Sequence, residues 1–561
     1  MERKWWQDKV CYQIWPKSFQ DSNGDGVGDI PGIIARLDHL KGLGVDILWL
    51  SPVYKSPLAD QGYDIADYRG IDPRFGTLED MDRLLAETKR RGMYVIMDLV
   101  ANHCSDEHPW FRKALADPEG PYGRYFYFRK GENGAPPTNW RGYFGGSVWS
   151  PVPGRKDLYY LHLFCEKQPD LNWQNPAVRR EVMEMVNWWL DRGVAGFRID
   201  AIVNIGKPER WESFAPDRPD GLADCRKMLA DPVARRRLHT YLGQLRDEAF
   251  APHDAFTVGE VFDTDPAELS LFIGRGGFFS SMFGFSAACW GKSPKGWYAA
   301  KKPGPDDYRD CAFASARQAA GIGFLSNIIE NHDEPRGVSH YLPEEAASDP
   351  RAQKALAAVQ MLLPGLPFLY QGQEIGMTNT VFPSIDGVDD VNTRGEYAAA
   401  LAAGLSPAEA LARVAPMSRD NARTPVQWTD GHAAGFTAGT PWLPVNPNYT
   451  RVNVQAQDGV AGSVLEFYKQ LISLRKNDKY KEALVWGGFA PVHQEQPGLA
   501  AFVRDGGGRR LLVASNLSGG EQRLELPGAA GAVLLCSDGA PALAHGVLTL
   551  APWQAAVVEL A

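Results

Sequence analysis

Cysteine is scarce. The chain has seven in 561 residues (Cys11, Cys104, Cys165, Cys225, Cys289, Cys311, Cys536), an odd number, scattered, with no CxxC pair and no His/Cys cluster. That spacing argues against a disulfide framework or a zinc site and predicts reduced thiols in a cytoplasmic protein. Long apolar runs are missing too: no stretch approaches 18 uncharged apolar residues, so no membrane span is expected. The opening MERKWWQDKVCYQIWP lacks a basic segment followed by an apolar run and cleavage site, which fits the same compartment. GxxxxGK[ST] does not occur, so no phosphate loop of that kind is present. A formal net charge of -9 argues against a polyanion such as nucleic acid as partner. No internal repeat stands out.

Aromatic residues, by contrast, are plentiful: 11% of the chain, with 17 Trp and 20 Tyr. Flat rings with polar edges suit the faces of sugars or bases, although core packing takes most of them. The length exceeds what one core serves, so one large domain with smaller ones is expected.

Val10 to Trp15, Val45 to Pro52 and Met93 to His103 read as three buried strands, separated by helices over Pro31 to Leu43 and Leu78 to Arg91. Polar residues crowd the strand ends: Asp60, Tyr63, Asp64 and Asp67 after the second, Asp98, Asn102 and His103 at the third. A helix from Pro176 then leads into GFRIDAI, Gly196 to Ile202, a fourth strand on which period-two alternation puts Arg198 and Asp200 on one face. A core-ordering ion pair would show the same pattern. Further strands are expected at Ala255 to Val261 with Glu260 at its end, Phe278 to Phe283, Ser326 to Glu330 with Asp333 just beyond, and Phe368 to Gln371. The fold class is therefore α/β, a (β/α)8 barrel whose C-terminal rim carries the chemistry.

The barrel is expected over 1-103 and 174-479, with an excursion near 378-417 that holds a helix from Gly395 to Val414. The Gly-, Pro- and aromatic-rich 104-173 reads as a small inserted domain over the barrel mouth. From 480 to 561, short alternating runs between Gly, Asp and Ser turns read as an antiparallel β-sandwich.

Two constellations carry chemistry. In DSNGDGVGD, the side chains of Asp21, Asn23, Asp25 and Asp29 and the carbonyl of Val27 place oxygen donors at alternating positions, as in the front half of an EF-hand loop, but Gly32 stands where the twelfth-position Glu would be. A structural Ca²⁺ is expected, with Mg²⁺ as the alternative; a turn capping the helix at Pro31 is the competing reading. No organic cofactor is expected. The second constellation is Asp200, Glu260 and Asp333, carboxylates delivered to one rim. Paired carboxylates suit glycoside hydrolysis, and a third can stabilise the positive charge of the sugar ring in the transition state.

DLVANH, GFRIDAI, VGEV, ENHD, QPDLNW and SRDNARTPVQW together resemble the motifs of glycoside hydrolase family 13, the α-amylase clan, and specifically its oligo-1,6-glucosidase and α-glucosidase branch. The resemblance implies Asp200 as nucleophile, Glu260 as general acid/base and Asp333 as transition-state stabiliser. It further implies sugar contacts from Arg198, His103 and His332, a stacking platform in Tyr63, cleft walls from Phe144 and Phe164, and closure of the pocket by Asp60 and Arg419, ahead of Arg423. The calcium loop of that branch corresponds to Asp21, Asn23, Asp25, Val27 and Asp29. Ala201, small where Val is usual in enzymes preferring α-1,6 bonds, tilts the expectation toward α-1,4 activity. GVSHYLPEE replaces the Arg-rich stretch of sucrose isomerases. The expected enzyme is a retaining exo-α-glucosidase acting on short oligosaccharides as a monomer or weak homo-oligomer. The alternatives are an oligo-1,6-glucosidase or dextran glucosidase, a transglucosylase or sucrose isomerase on the same scaffold, and a non-catalytic sugar-binding or transporter-associated relative.

Overall fold

The computed structural model describes residues 3–218, 220–261, 265–284, 291, 293 and 295–561. Among them, eight parallel strands close into a barrel. They are β1 (Cys11–Ile14), β2 (Ile47–Leu50), β3 (Tyr94–Val100), β4 (Gly196–Asp200), β5 (Phe256–Gly259), β6 (Ser281–Phe283), β7 (Phe324–Asn327) and β8 (Leu366–Tyr370). Each pairs with its sequential neighbour, and β1 closes the ring on β8. All five residues of β4 and of β8 are buried, as expected of strands covered on both faces.

Local chemistry explains why β4 starts where it does. The helix Pro176–Asp191 is capped by Asn175, whose side chain accepts from the Ala177 amide, and has Pro176 at its first position. Gly193, at φ +110°, reverses the chain after it. Gly196 opens β4 because β5 passes too close for any side chain: a Cβ there would lie 1.8 Å from the Phe256 carbonyl oxygen. The register then sets Arg198 beside Asp98 of β3 and Val258 of β5.

Four expectations change. The helix expected from Pro31 to Leu43 is two, Ile30–Ala35 and Leu37–Leu43, and that expected from Gly395 to Val414 is also two, Val391–Ala402 and Pro407–Val414, with Gly404 at φ +94° between them. β7 is Phe324–Asn327, ending three residues before Glu330, because its ladder to β8 stops at Asn327. Asp333 thus sits on the following loop, and Glu330 turns away into a buried pair with Arg336 at 3.0 Å. Finally, Cys311 is disulfide-bonded. Cys11, Cys104, Cys165, Cys225 and Cys536 are free, and Cys289 lies outside the described residues.

The inserted region carries a three-stranded sheet of Phe128–Lys130, Leu158–Leu161 and Trp149–Pro151. The segment after β4 joins it, since Ala223–Asp224 pairs with Trp140–Arg141 and Trp211 packs on Trp140. At the C-terminus, a five-stranded and a three-stranded antiparallel sheet face each other across a core of Leu499, Val503, Leu512, Leu524, Leu548 and Leu550. Buried Arg504 ties this domain to the barrel by donating to the carbonyls of Leu362, at the end of helix Pro350–Leu362, and of Gly487 and Gly488. No helix among the described residues is long and apolar enough to cross a membrane.

Candidate active site

The C-terminal rim of the barrel opens into a cavity of about 500 Å³, lined by Asp60, Tyr63, His103, Phe144, Phe164, Asp200, Ala201, Glu260, Asp333 and Arg419 among others. Its floor is organised by one cation. Arg198, 1% exposed, donates from Nη1 to Asp98 and to Asp200, both at 2.7 Å, and its Nη2 lies 2.6 Å from Glu260. A single guanidinium therefore sets the spacing of the two carboxyls expected to do the chemistry. Strand alternation puts Arg198 beneath Asp200, and the β3–β4 register supplies Asp98, a residue the sequence reading placed at a strand end without giving it a role.

Ala201, next after Asp200, adopts left-handed backbone at φ +42°, a costly conformation for a residue with a Cβ. The turn aims its amide at Glu260, donating to Oε2 at 2.8 Å. Burial raises the proton affinity of both Asp200 and Glu260 and Arg198 opposes the rise, with repulsion adding to it from Glu260, Asp98 and Asp333 at Asp200 and from Asp333 at Glu260.

Asp333 is the opposite case. Its Oδ1 accepts from Arg419 at 3.1 Å and Arg423 at 3.2 Å, and its Oδ2 lies 2.9 Å from His332 Nε2. Burial alone would raise its pKa, but His332 and the two arginines hold it well below the ordinary carboxylate range. Gln13 Nε2 lies 2.7 Å from His332 Nδ1 and holds the ring with Nε2 facing Asp333. Tyr63 packs its ring on His332, centroids 5.3 Å apart and 11° from parallel, so one face of the expected sugar platform is taken by protein.

The end of the pocket is closed. Arg419 Nη2 lies 3.4 Å from Asp60, and Gln168 donates to Asp60 at 3.1 Å while sitting 3.0 Å from His103 Nε2. Burial lowers the pKa of His103, which favours the neutral ring. Phe164 packs on His103 at 5.0 Å and on Phe144 at 5.7 Å, and Arg419 lies over Phe144 at 5.2 Å. Arg423 is wholly buried against Trp15 and its Nη2 lies 3.2 Å from Asp333, so it holds that carboxylate while Arg419 also reaches Asp60 at the closed end. Sequence reasoning missed Gln168, Lys207 and Asp390. Lys207 is buried at 2.6 Å from Asp170 and 3.2 Å from Asn102, pinning the stretch beside His103. Gln168 opens the QPDLNW motif, which marked its place but not its role; a helix-cap signal marked Asp390, and nothing marked Lys207.

The loop expected to hold a metal lies apart from this cavity. Asp21 accepts from the amides of Asn23, Gly24 and Gly26 and from Thr437 Oγ1. Asp25 accepts from the Val27 amide and from Asn23 Nδ2. Asn23 Oδ1 accepts from the Asp25 amide, and Asp29 caps helix Ile30–Ala35 through the Gly32 amide while also holding Ser22. An ionised carboxylate offers about four lone-pair sites, and in Asp21 all are engaged. Among the described residues, no three His, Cys, Asp or Glu side chains are grouped to hold a metal ion.

The family profile described as the alpha amylase catalytic domain matches residues 13–487 of the chain. The chain belongs to the α-amylase family. A second profile, the alpha-amylase SusG C-terminal domain, matches residues 499–557 of this α-amylase family member. It is 43% identical over 524 residues to an oligo-1,6-glucosidase of Parageobacillus thermoglucosidasius, covering 92% of this chain and 91% of that one. It is 41% identical over 519 residues to a trehalose-6-phosphate hydrolase of Escherichia coli (strain K12), covering 92% and 91%. Its fold superposes with a TM-score of 0.93 and 37% identity on a trehalulose synthase from Pseudomonas mesoacidophila MX-45, with 100% of each chain covered. The protein is a glycoside hydrolase of glycoside hydrolase family 13, in the oligo-1,6-glucosidase and α-glucosidase branch.

Proposed function

We propose that this enzyme is a retaining, exo-acting α-glucosidase that removes terminal α-glucose from short α-glucosides. The observation that carries the reading is Arg198 holding Asp200 and Glu260 together at the floor of a cavity that Asp333 also lines. In this mechanism, Asp200 attacks the anomeric carbon as the bond to the leaving oxygen breaks and Glu260 gives that oxygen its proton. Asp333, ionised, faces the positive charge that develops on the ring. Water then attacks the glucosyl-enzyme carbon, Glu260 takes its proton, Asp200 is released, and two inversions retain the α configuration. The closed end formed by Asp60, Arg419 and Gln168 admits one terminal sugar, which supports the exo mode.

Proton NMR during early turnover of maltose is expected to show α-glucose as the first product, and β-glucose would overturn the retaining step. For linkage, Ala201 lines the cavity and is small enough to leave room beneath the next sugar, which supports α-1,4 cleavage slightly ahead of α-1,6. Initial rates on maltose, isomaltose, trehalose, sucrose and short dextran, measured side by side, test this. Faster turnover of isomaltose than of maltose overturns the preference, and sucrose isomers as main product overturn hydrolysis as the activity. The disulfide at Cys311 removes the thiol argument for a cytoplasmic location, so that location rests on fractionation of the native source.

For the loop at Asp21 to Asp29 we propose a structural calcium ion, with magnesium as the alternative, on the strength of its alternating oxygen donors. Asp21 would trade amide hydrogen bonds for the metal, and no catalytic step uses the ion. EDTA followed by desalting is expected to lower Tm, with recovery on adding Ca²⁺. An unchanged Tm with no bound metal by elemental analysis assigns the loop as a helix cap only.

A further inference from the structure

We infer that Asp390 is a positioning residue that couples the helical excursion above the cavity to the sugar pocket, one carboxylate both capping the excursion's first helix and holding Arg419. The inference rests on reading the closed end of the cavity as the seat of the terminal glucose. Asp390 is 1% exposed and stands at the N-cap of Val391–Ala402, accepting from the amides of Asn392 and Thr393, each at 3.1 Å. The same carboxylate accepts Arg419 Nε at 2.8 Å, with Nη2 at 2.7 Å. That grip orients the planar fork so that its outward nitrogens reach Asp333 at 3.1 Å and Asp60 at 3.4 Å.

A second layer holds the cap in place. Asp420 accepts from the amides of Asp389 and Asp390 at 2.7 and 3.0 Å, and Thr393 Oγ1, which donates to Asp390, lies 2.9 Å from Ser418 Oγ. Against the cost of burial, Arg419 and Arg423 pull the Asp390 carboxyl down to about 2, so it is an anion. The helix it caps is also the roof of the cavity: Asn392 and Glu396 line it, and a Cβ on Gly395 would stand 3.2 Å from the Phe144 carbonyl oxygen of the inserted domain. Anything that frays this helix therefore loosens Arg419. By linkage, a sugar that orders Arg419 stabilises the first turn of the helix.

A cap and a charge anchor are separable, because Asn caps a helix about as well as Asp but carries no charge. Asp390→Asn keeps the cap and is expected to melt below the wild type by the loss of its buried pair with Arg419, while its Kd for glucose, by isothermal titration, rises about tenfold. KM for p-nitrophenyl α-glucoside should rise in step, with a much smaller change in kcat. Hydrogen exchange at the Asn392 and Thr393 amides should slow on adding glucose to the wild type and not to the variant. Asp390→Ala should lose the same affinity and melt lower as well. An Asp390→Asn protein that binds glucose like the wild type, or whose Asn392 and Thr393 amides slow on adding glucose as the wild type's do, overturns the inference and leaves the proposed hydrolysis standing. A wild type that neither binds glucose nor cleaves the glucoside overturns both.

Discussion

Asp200→Asn is expected to reduce kcat by about 10⁴-fold or more on every glucoside, with glucose affinity largely kept, because an amide cannot form the covalent intermediate and no neighbour replaces it. Glu260→Gln should behave differently. Its loss in kcat/KM, which reports the first step, should be about 10²- to 10⁴-fold on maltose, whose leaving alkoxide needs a proton, and far smaller on p-nitrophenyl α-glucoside, whose leaving group departs without one. The pH profile separates the roles further. With burial raising the proton affinity of the Asp200 and Glu260 pair, activity in the wild type falls on the acid side as the nucleophile is protonated and on the alkaline side as the acid is lost. Glu260→Gln should abolish the alkaline fall in its residual activity on the aryl glucoside. Equal losses on maltose and the aryl glucoside would remove Glu260 from the proton-transfer role.

Arg198→Met should be the most damaging change to the molecule as a whole. It leaves Asp98, Asp200 and Glu260 buried around a missing cation, and breaking a buried ion pair by removing one partner costs about 3–5 kcal/mol. Protonation of the stranded carboxyls limits the cost at low pH, so the deficit in urea-unfolding free energy relative to the wild type should grow as pH rises from 5 to 8. Activity should fall by at least the loss from Glu260→Gln, since neither catalytic carboxyl keeps its charge or place. Arg198→Lys should restore part of the stability and little of the activity, because one ammonium cannot serve three carboxylates through separate nitrogens. A stability deficit independent of pH would show that Arg198 matters through packing alone.

How much of this was legible in the chain depends on where each interaction comes from. Period-two alternation and buried β-branched runs located all eight strands, since those patterns are imposed by the strand's own geometry. The same rule put Arg198 and Asp200 on one face, and the strand-end carboxylates pointed to a shared rim. The ends of elements were less legible: nothing in SNIIENHDEPR says that the ladder stops at Asn327, because that limit is set by where β8 begins to diverge. The reduced-thiol expectation failed at Cys311 for the same reason, since a disulfide depends on a distance the spacing of cysteines does not encode.

By itself, then, the sequence determined the barrel, the C-terminal sandwich and the family, and it singled out three acidic side chains as candidates, all from periodicities and short motifs local to the chain. Only the tertiary structure decided what surrounds those acids. Arg198 bridging Asp98, Asp200 and Glu260, Arg419 joining Asp60, Asp333 and Asp390, and Gln168 linking Asp60 to His103 are contacts between residues far apart in the chain. Such contacts depend on strand register and on how the inserted segments fold over the rim, and the charge state of each acid follows from them, because burial and a nearby cation act through space.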